Sequence, residues 1–448
     1  MDNSEKNITL HRVISGMDME KQVNYKPRIA DRLLARKLEG MGAVLIEGPK
    51  WCGKTTTAEQ QARSILYMDD PREKMQNIQA ADINPEMLLA GDTPRLIDEW
   101  QIAPQLWDAI RFSVDHRNMD GQFILTESAV PPIVEERAVV SHTGTGRIAR
   151  VRMRPMSLWE SGDSNGNVSL GALFQGHVSI MGIGHHDISD LARLVCRGGW
   201  PRATLQGMDI ALERAYDYYD AVVNTDICRV DETVRNPERV KRLMRSYARF
   251  QGAQAPLSSI SADMKANDYS SLDERTVSSY IDALKKIFVI EDMPAWNPNL
   301  RSKTAIRTSD TRYFIDPSIA VAALGLGPED LLSDFNTFGL LFETMCVRDL
   351  RTYADSLNGN VYHYRDKNGL ECDAVVHLRN GSYGLVEIKL GGDRLIEEGA
   401  QTLLRLARKI DVTKMKVPSF LMVLTGTGKY AFQRKDGVLV VPVGCLKD

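Results

Sequence analysis

The sequence lacks three features, each of which would assign it to a broad class. Its six cysteines are scattered over 448 residues without a Cys-x-x-Cys pair, which argues against zinc ribbons and against a disulfide framework. No apolar run approaches about 18 residues, and the start of the chain is polar, so we expect neither a membrane span nor a signal peptide. A formal net charge of −3 gives no overall nucleic-acid signature. These absences predict a protein of the reducing cytoplasm with no membrane partner.

The chain is long enough for about three domains, each with its own core. It is 43% apolar and 26% charged, which is typical of a globular protein. We place the predicted domains at residues 1–165, 185–312 and 313–448. Between Ser161 and Gly184 the chain is rich in Gly, Ser and Asn, and this composition predicts a long loop or lid.

The clearest motif is a glycine-rich stretch, GPKWCGKT, which follows the apolar run AVLI. It fits the phosphate-binding loop, in which backbone N–H groups wrap a polyphosphate and glycines let the backbone come close. In this pattern Lys54 reaches the β- and γ-phosphates, and the Thr55 hydroxyl binds Mg²⁺. The sequence therefore predicts ATP and Mg²⁺ as ligands; the alternative is a glycine turn with a chance lysine. The predicted nucleotide-binding residues of the loop are Gly48, Pro49, Lys50, Trp51, Cys52, Gly53, Lys54, Thr55 and Thr56.

Two acids, Asp98 and Glu99, end a strand predicted within residues 92–100, beyond the glycine-rich loop. In a P-loop ATPase the first acid would hold Mg²⁺ through water, and the second would orient and deprotonate the attacking water. The alternative is a charged turn between a strand and a helix. One strand further along, the Thr126 hydroxyl could touch the γ-phosphate or its water, or it could be a plain strand cap.

Arg147 opens a run of arginines near the end of the first predicted domain. An arginine here could contact a γ-phosphate, in its own or in a neighbouring subunit, and so stabilise charge in the transition state. A solvated basic strand is the alternative, and the sequence does not decide between them.

Several short motifs are distributed along nearly the whole chain, among them YKPRI (25–29), GPKWCGKTT (48–56), LIDEWQ (96–101), ILTES (124–128), RPMSLWE (154–160), GGWP (198–201) and VEIK (386–389). Through them the chain resembles a widespread prokaryotic family of AAA-type ATPases with a C-terminal domain of unknown function. The resemblance implies an AAA-type P-loop domain in which Asp98 and Glu99 form the second motif and Thr126 is a sensor. Many relatives have Gly at the position of Glu127, and a carboxylate there could perturb the sensor.

The middle of the chain, from Pro256 to Pro298, resembles a winged helix. LSSISADM and VSSYIDALKKIFVI predict two helices, and the stretches TAIRTS and TRYFID could be extended. This fold can read DNA in the major groove, but it also serves as a protein-packing module. The sequence therefore predicts a helical and winged-helix-like domain without deciding its partner.

The C-terminal part predicts a helix, three strands, a second helix and two strands, an order that resembles the restriction-endonuclease-like fold. Asp373 lies in the second strand, and Glu387 and Lys389 share one face of the third because side chains alternate along a strand. Asp373 and Glu387 could then hold Mg²⁺ while Lys389 positions or deprotonates a water for phosphodiester attack. The resemblance to nucleases of this fold implies that Glu343 completes the site. The alternative is an inactive, ion-paired cluster.

Together these observations predict an α/β multidomain protein: a Mg²⁺-dependent ATPase whose nucleotide state controls a nuclease-like C-terminal domain that acts on or binds nucleic acid. An ATP-driven regulatory switch, in which an inactive C-terminal domain binds a partner protein, is the alternative. The oligomeric state stays open.

Overall fold

A computed structural model describes residues 25–128, 144–230, 235–266, 273–297 and 309–448. Its N-terminal part is a parallel five-stranded sheet in the order β2-β3-β4-β1-β5, with helices between the strands. The elements are α1 (Ile29–Leu38), β1 (Ala43–Glu47), α2 (Lys54–Glu59), β2 (Ser64–Tyr67), α3 (Lys74–Ile83), β3 (Arg95–Asp98), α4 (Leu106–Arg117), β4 (Phe123–Glu127), β5 (Ile148–Arg152) and α5 (Leu158–Ser161).

Strands β1 and β4 are buried along their whole length, which explains their almost continuous apolar sequence. Alternate residues of β1 pack into different clusters: Leu45 lies in one hydrophobic core, and Val44 and Ile46 lie in another. The sheet therefore has a core on each face. Because its strands are parallel, the carboxyl ends of β1, β3 and β4 meet at one edge.

The middle part is mainly helical. Its elements are β6 (Val168–Ser169), α6 (Leu170–Phe174), β7 (Gly182–Ile183), α7 (Ile188–Arg197), α8 (Met208–Ala221), α9 (Pro237–Arg249), α10 (Leu257–Ala266) and α11 (Glu274–Lys286). Helices α10 and α11 confirm the two helices predicted here. Antiparallel bridges then join Ile290 to Phe314 and Met293 to Thr311. Residues 304–308 of the stretch TAIRTS lie outside the described residues. The winged-helix assignment stays a prediction.

The C-terminal part is a mixed seven-stranded sheet in the order β7-β12-β13-β11-β10-β9-β8. The predicted helix, three strands and second helix are all present, whereas the prediction missed two later strands, Tyr430–Gln433 and Leu446–Lys447. The restriction-endonuclease-like assignment stays a prediction. The elements are α12 (Pro317–Leu324), α13 (Pro328–Ser333), α14 (Phe335–Ser356), β8 (Gly359–Arg365), β9 (Glu371–Leu378), β10 (Tyr383–Lys389), α15 (Asp393–Lys409), β11 (Phe420–Thr425), β12 (Tyr430–Gln433), β13 (Leu439–Pro442) and β14 (Leu446–Lys447).

The prediction of a long loop or lid between Ser161 and Gly184 is wrong in part, because this segment contributes two short strands. Ile183 of β7 pairs antiparallel with Tyr430 of β12, and Val168 of β6 pairs parallel with Leu446 of β14. The seven-stranded sheet thus includes a strand from well outside residues 313–448.

One buried arginine, Arg154, connects the three parts of the chain. Its Nη2 atom lies 2.6 Å from a Glu291 carboxylate oxygen after α11, and Nη1 lies 2.5 Å from an Asp355 oxygen on α14. Arg351, also on α14, donates to the Glu291 main-chain carbonyl at 2.8 Å. The end of the ATPase-like sheet is therefore tied by charge to both later parts.

None of the helices in the described ranges combines the length and the apolar character that a bilayer crossing needs. All six cysteines lie in the described ranges and carry free thiols.

Candidate functional site

The glycine-rich loop leaves β1 and closes around one lysine. Gly53 has a φ of 100°, which glycine adopts without strain. Trp51 has a φ of 66°, which is uncommon for a residue other than glycine. The Lys54 ammonium donates to the carbonyl oxygens of Gly48 at 3.0 Å and Pro49 at 2.8 Å. The lysine side chain is thereby placed inside the loop that the sequence predicts.

Two predicted site residues from separate segments, Thr55 on α2 and Thr126 on β4, meet at Asp98. The Thr55 hydroxyl donates to Asp98 Oδ1 at 2.7 Å, and the Thr126 hydroxyl donates to the same oxygen at 2.6 Å. Asp98 is only 6% exposed, and this burial raises the pKa of its carboxyl group despite both hydrogen bonds. Thr55 and Asp98 fit a Mg²⁺ site, because Mg²⁺ is usually held by one or two protein oxygens together with substrate phosphates.

Glu99 follows directly in a constrained conformation. Its φ of 55° is uncommon for a residue other than glycine. Its main-chain N–H donates to the Thr126 hydroxyl at 3.1 Å, and its carboxylate accepts from Ser128 at 3.1 Å and from the Gln101 amide. Burial, with the Asp98 charge adding to it, raises the pKa of Glu99. A carboxylate with a raised pKa is a better general base near neutral pH.

A groove of about 460 Å³ opens beside the loop, and we call it the nucleotide groove because the sequence predicts ATP as the ligand of this loop. It contains two arginines that the sequence motifs did not predict. Lys54, Thr55, Thr56 and Glu99 line one side. Residues from the middle of the chain line the other: Trp200, Pro201, Arg202 and Arg214. The motif GGWP, shared with the resembling family, was the one signal that pointed to this segment.

The tip of the loop also contacts the middle part directly. The Lys50 ammonium lies 2.5 Å from an Asp226 carboxylate oxygen. The Trp51 ring meets Tyr218 edge-on at 5.6 Å between centroids, and Trp200 lies 4.1 Å from the same tyrosine ring. Two predicted nucleotide contacts, Lys50 and Trp51, are thus engaged by helix α8 and the turn that follows it.

Arg147 does not line the nucleotide groove of its own chain. Its guanidinium pairs with Asp115 at 2.9 Å, and its side chain is 45% exposed. Arg147 precedes β5, which runs parallel to β1, so it lies at the amino edge of the sheet, away from the loop. The prediction of a contact within its own chain is wrong; a contact in a neighbouring subunit stays a prediction.

Glu127 does not disturb the predicted sensor. Because side chains alternate along β4, it points away from Thr126 and accepts from the Trp100 indole N–H at 3.0 Å. Burial first, and then the nearby Glu47 carboxylate, raise the pKa of Glu127 to about 7. Thr126 keeps its hydrogen bonds to Asp98 and Glu99.

The predicted C-terminal cluster does assemble around Lys389. Its ammonium lies 3.0 Å from an Asp373 oxygen and 2.7 Å from a Glu387 oxygen, and the Ile388 N–H donates to Asp373 at 2.7 Å. Burial alone would lower the pKa of Lys389, but the two carboxylates raise it. Burial and the Asp373 charge raise the pKa values of Glu343 and Glu387.

The predicted metal site of three acids needs correction. In the described ranges no group of three or more His, Cys, Asp or Glu side chains is arranged to hold a metal ion. Glu343 accepts instead from the Tyr313 hydroxyl, and Lys389 pairs with Asp373 and Glu387. Among the described residues, Asp373 and Glu387 are the acids that contact the Lys389 ammonium.

Three family models match separate parts of the chain. Residues 41–161 match an AAA domain, residues 188–330 match a domain of unknown function (DUF8612), and residues 338–446 match a domain of unknown function (DUF4143). The first match confirms an AAA-type P-loop domain in the N-terminal part, and it indicates nucleotide binding. The other two descriptions carry no activity.

Two uncharacterized mycobacterial proteins, from Mycobacterium bovis and Mycobacterium tuberculosis, are each 24% identical over 419 residues, which is 93% of this chain and 83% of theirs. Solved structures include a Walker-type ATPase of Pyrococcus abyssi, at 13% identity and a TM-score of 0.39 over 65% of this chain and 94% of that one. AMPPCP-bound DnaA from Aquifex aeolicus is 15% identical, with a TM-score of 0.27 over 57% of this chain and 86% of that one. These TM-scores are too low to establish a common fold.

Proposed function

We propose that the N-terminal domain binds ATP with Mg²⁺ and hydrolyses it. The observation that carries this proposal is the meeting of Thr55 and Thr126 on one oxygen of Asp98, beside the loop that encloses Lys54. Residues far apart in sequence converge there in the arrangement that phosphoryl transfer to water requires.

Each residue then has a defined role. Lys54 contacts the β- and γ-phosphates, and Thr55 and Asp98 hold Mg²⁺, which when bound neutralises phosphate charge. Glu99 orients the attacking water and takes its proton. Thr126 fixes both acids, since it donates to the Asp98 carboxylate and accepts from the Glu99 main chain.

ATP binding and phosphate release, measured on purified protein, test this proposal. We expect Lys54→Ala to weaken ATP binding by at least about tenfold, and Glu99→Gln to keep binding but lower turnover by about 10²-fold or more. Lys74→Ala is the control, because Lys74 is an exposed lysine on α3. Turnover that is unchanged in Glu99→Gln would leave only a nucleotide sensor, and a wild type that binds no ATP would refute the proposal.

We further propose that the nucleotide state controls a nuclease-like C-terminal domain that acts on or binds nucleic acid. The juxtaposition of Asp373, Glu387 and Lys389 supports this, and Arg154 supplies a physical connection between the domains. The alternative is a regulatory switch whose C-terminal domain is inactive and binds a partner protein. The ion pairs that occupy Lys389 favour that alternative.

Mg²⁺-dependent cleavage of DNA and RNA, assayed with ATP, with ADP and without nucleotide, separates the two. A nuclease loses cleavage in Lys389→Ala while ATP turnover persists. If no cleavage occurs in any nucleotide state, or if Lys389→Ala cleaves as the wild type does, the regulatory switch is the better account.

A further inference from the structure

A second groove, of about 650 Å³, lies in the C-terminal part between helix α15 and strands β9 and β10. Its floor carries Asp373, Glu387 and Lys389, and its wall is one face of α15 with Arg405 and Arg408. We call it the α15 groove. Thr402, Arg405 and Lys409 recur every three or four residues, so the helix presents them along one stripe.

The floor and the wall of the groove differ in charge balance. On the floor, the single Lys389 ammonium is shared by two carboxylates, of Asp373 and Glu387, so no positive charge is left over there. On the wall, Arg405 donates to the Thr402 hydroxyl at 3.2 Å, and among the described residues neither Arg405 nor Arg408 has a carboxylate within ion-pair distance. Two guanidinium groups therefore remain available for an anion.

Arginine guanidinium suits phosphate in particular, because its planar fork of N–H donors matches two phosphate oxygens at once. Arg405 and Arg408 are separated by about 4.5 Å along the helix axis, so together they can contact one phosphate or two neighbouring ones. The groove thus fits a phosphate ester better than a neutral ligand.

The lining also distinguishes a strand from a single nucleotide. A site for a free nucleotide needs apolar or aromatic surface against the base. Leu370 is the only bulky apolar side chain among the residues that line this groove. Contacts to phosphate without contacts to bases are typical of binding that follows a nucleic-acid backbone regardless of sequence.

We propose that the α15 groove binds the phosphodiester backbone of a nucleic-acid strand through Arg405 and Arg408, with no base preference. This inference rests on the proposed nucleic-acid role of the C-terminal domain and assigns residues to it. It requires no cleavage, so it holds equally for a binding domain and for a nuclease.

Fluorescence anisotropy with labelled single-stranded and duplex oligonucleotides tests the proposal on the full chain. We expect Arg405→Ala and Arg408→Ala each to weaken binding by about threefold to tenfold, and the double variant to lower the slope of log K against log salt by about 2. Oligonucleotides of different sequence should lose affinity equally. ATP turnover, measured on the same preparations, should not change.

The matched control is the double variant Arg36→Ala/Arg394→Ala, which removes two exposed positive charges outside the groove. Arg394 lies on α15 itself and is 84% exposed. If the groove variant binds no more weakly than this control, the inference is overturned even though nucleic acid binds elsewhere. If the wild type binds no oligonucleotide, the nucleic-acid role falls and the inference with it, while ATP turnover still judges the ATPase separately.

Competition by AMP and inorganic pyrophosphate tests whether the bound phosphate belongs to a nucleic-acid strand or to a small anion. A strand site should prefer an oligonucleotide over either small competitor by at least about tenfold, because several phosphates contribute. If pyrophosphate binds as tightly as the oligonucleotide, and if this binding is lost in the same variants, the proposal of a strand site is overturned. The groove would then be a site for small anions.

Discussion

The Arg28 guanidinium donates from Nη1 to the main-chain carbonyl of Cys52, in the phosphate-binding loop, at 2.8 Å. The same side chain donates to a Glu160 carboxylate oxygen at 3.1 Å and to the Arg154 carbonyl at 2.8 Å. Arg28 is 6% exposed, so its three partners replace water almost completely. It therefore fixes the loop against the end of the same domain.

We predict that Arg28→Lys raises the KM for ATP by about tenfold or more. The guanidinium reaches its three partners from three different nitrogens, whereas the three N–H donors of a lysine share one nitrogen and cannot reach all three partners. A lost charged hydrogen bond costs about 1.5–3 kcal/mol. The turnover number at saturating ATP should change much less, since Arg28 does not contact the groove's acids. Steady-state kinetics check both values. Arg36→Ala, an exposed arginine on α1, is the control. Equal loss in both parameters would point to general destabilisation instead.

Arg202 and Arg214 line the nucleotide groove, so we predict that Arg214→Ala lowers ATP turnover by at least about tenfold. Arg202→Ala should act in the same direction. Arg147→Ala should leave turnover unchanged at protein concentrations where the chain is monomeric. A drop for Arg147→Ala that grows with protein concentration would instead assign the phosphate contact to a neighbouring subunit.

Glu127 should make the stability of the N-terminal domain depend on pH. Its pKa is raised to about 7 in the folded protein, so its contribution is complete at acidic pH and is lost as pH rises through about 7. Glu127→Gln should remove this dependence. Urea titrations should show that, between about pH 5 and about pH 8, the free energy of unfolding falls by about 2–3 kcal/mol less in the variant than in the wild type. An identical fall in both proteins would contradict the burial argument.

Arg154→Ala should destabilise the protein by about 3 kcal/mol, because it leaves the Glu291 and Asp355 carboxylates without their shared partner. Arg365→Ala breaks a surface pair with Glu371, in which both side chains are about half exposed, and should cost less than about 1 kcal/mol. Thermal unfolding measures both. Equal effects would show that the Arg154 pairs stabilise no more than a surface contact.

Local and periodic signals explain what the sequence could predict. The loop around Lys54 is one contiguous pattern, and Asp98 and Thr126 follow it because parallel strands bring their carboxyl ends together. Strand alternation likewise predicted that Glu387 and Lys389 share a face, and both lie at one ion-paired cluster. These inferences needed only short-range geometry.

The failures involve contacts between distant segments. Arg202 and Arg214 reach the nucleotide groove only because the middle part packs against the loop. No local sequence pattern predicts this packing. Arg147 was misplaced because position in a motif does not tell which edge of the sheet a residue occupies. Strands β6 and β7 are two residues long, too short for any hydrophobic period to register.

The pairing of β7 with β12 has a consequence for how the protein is made. The ribosome synthesises residues 182–183 long before it synthesises residues 430–431, which are their hydrogen-bonding partners. During that interval the N-terminal sheet can already be complete, whereas the outermost strand of the second sheet must wait for nearly the last stretch of polypeptide. A nascent chain that stalls before residue 430 would thus have a complete ATPase-like N-terminal sheet and an incomplete second sheet.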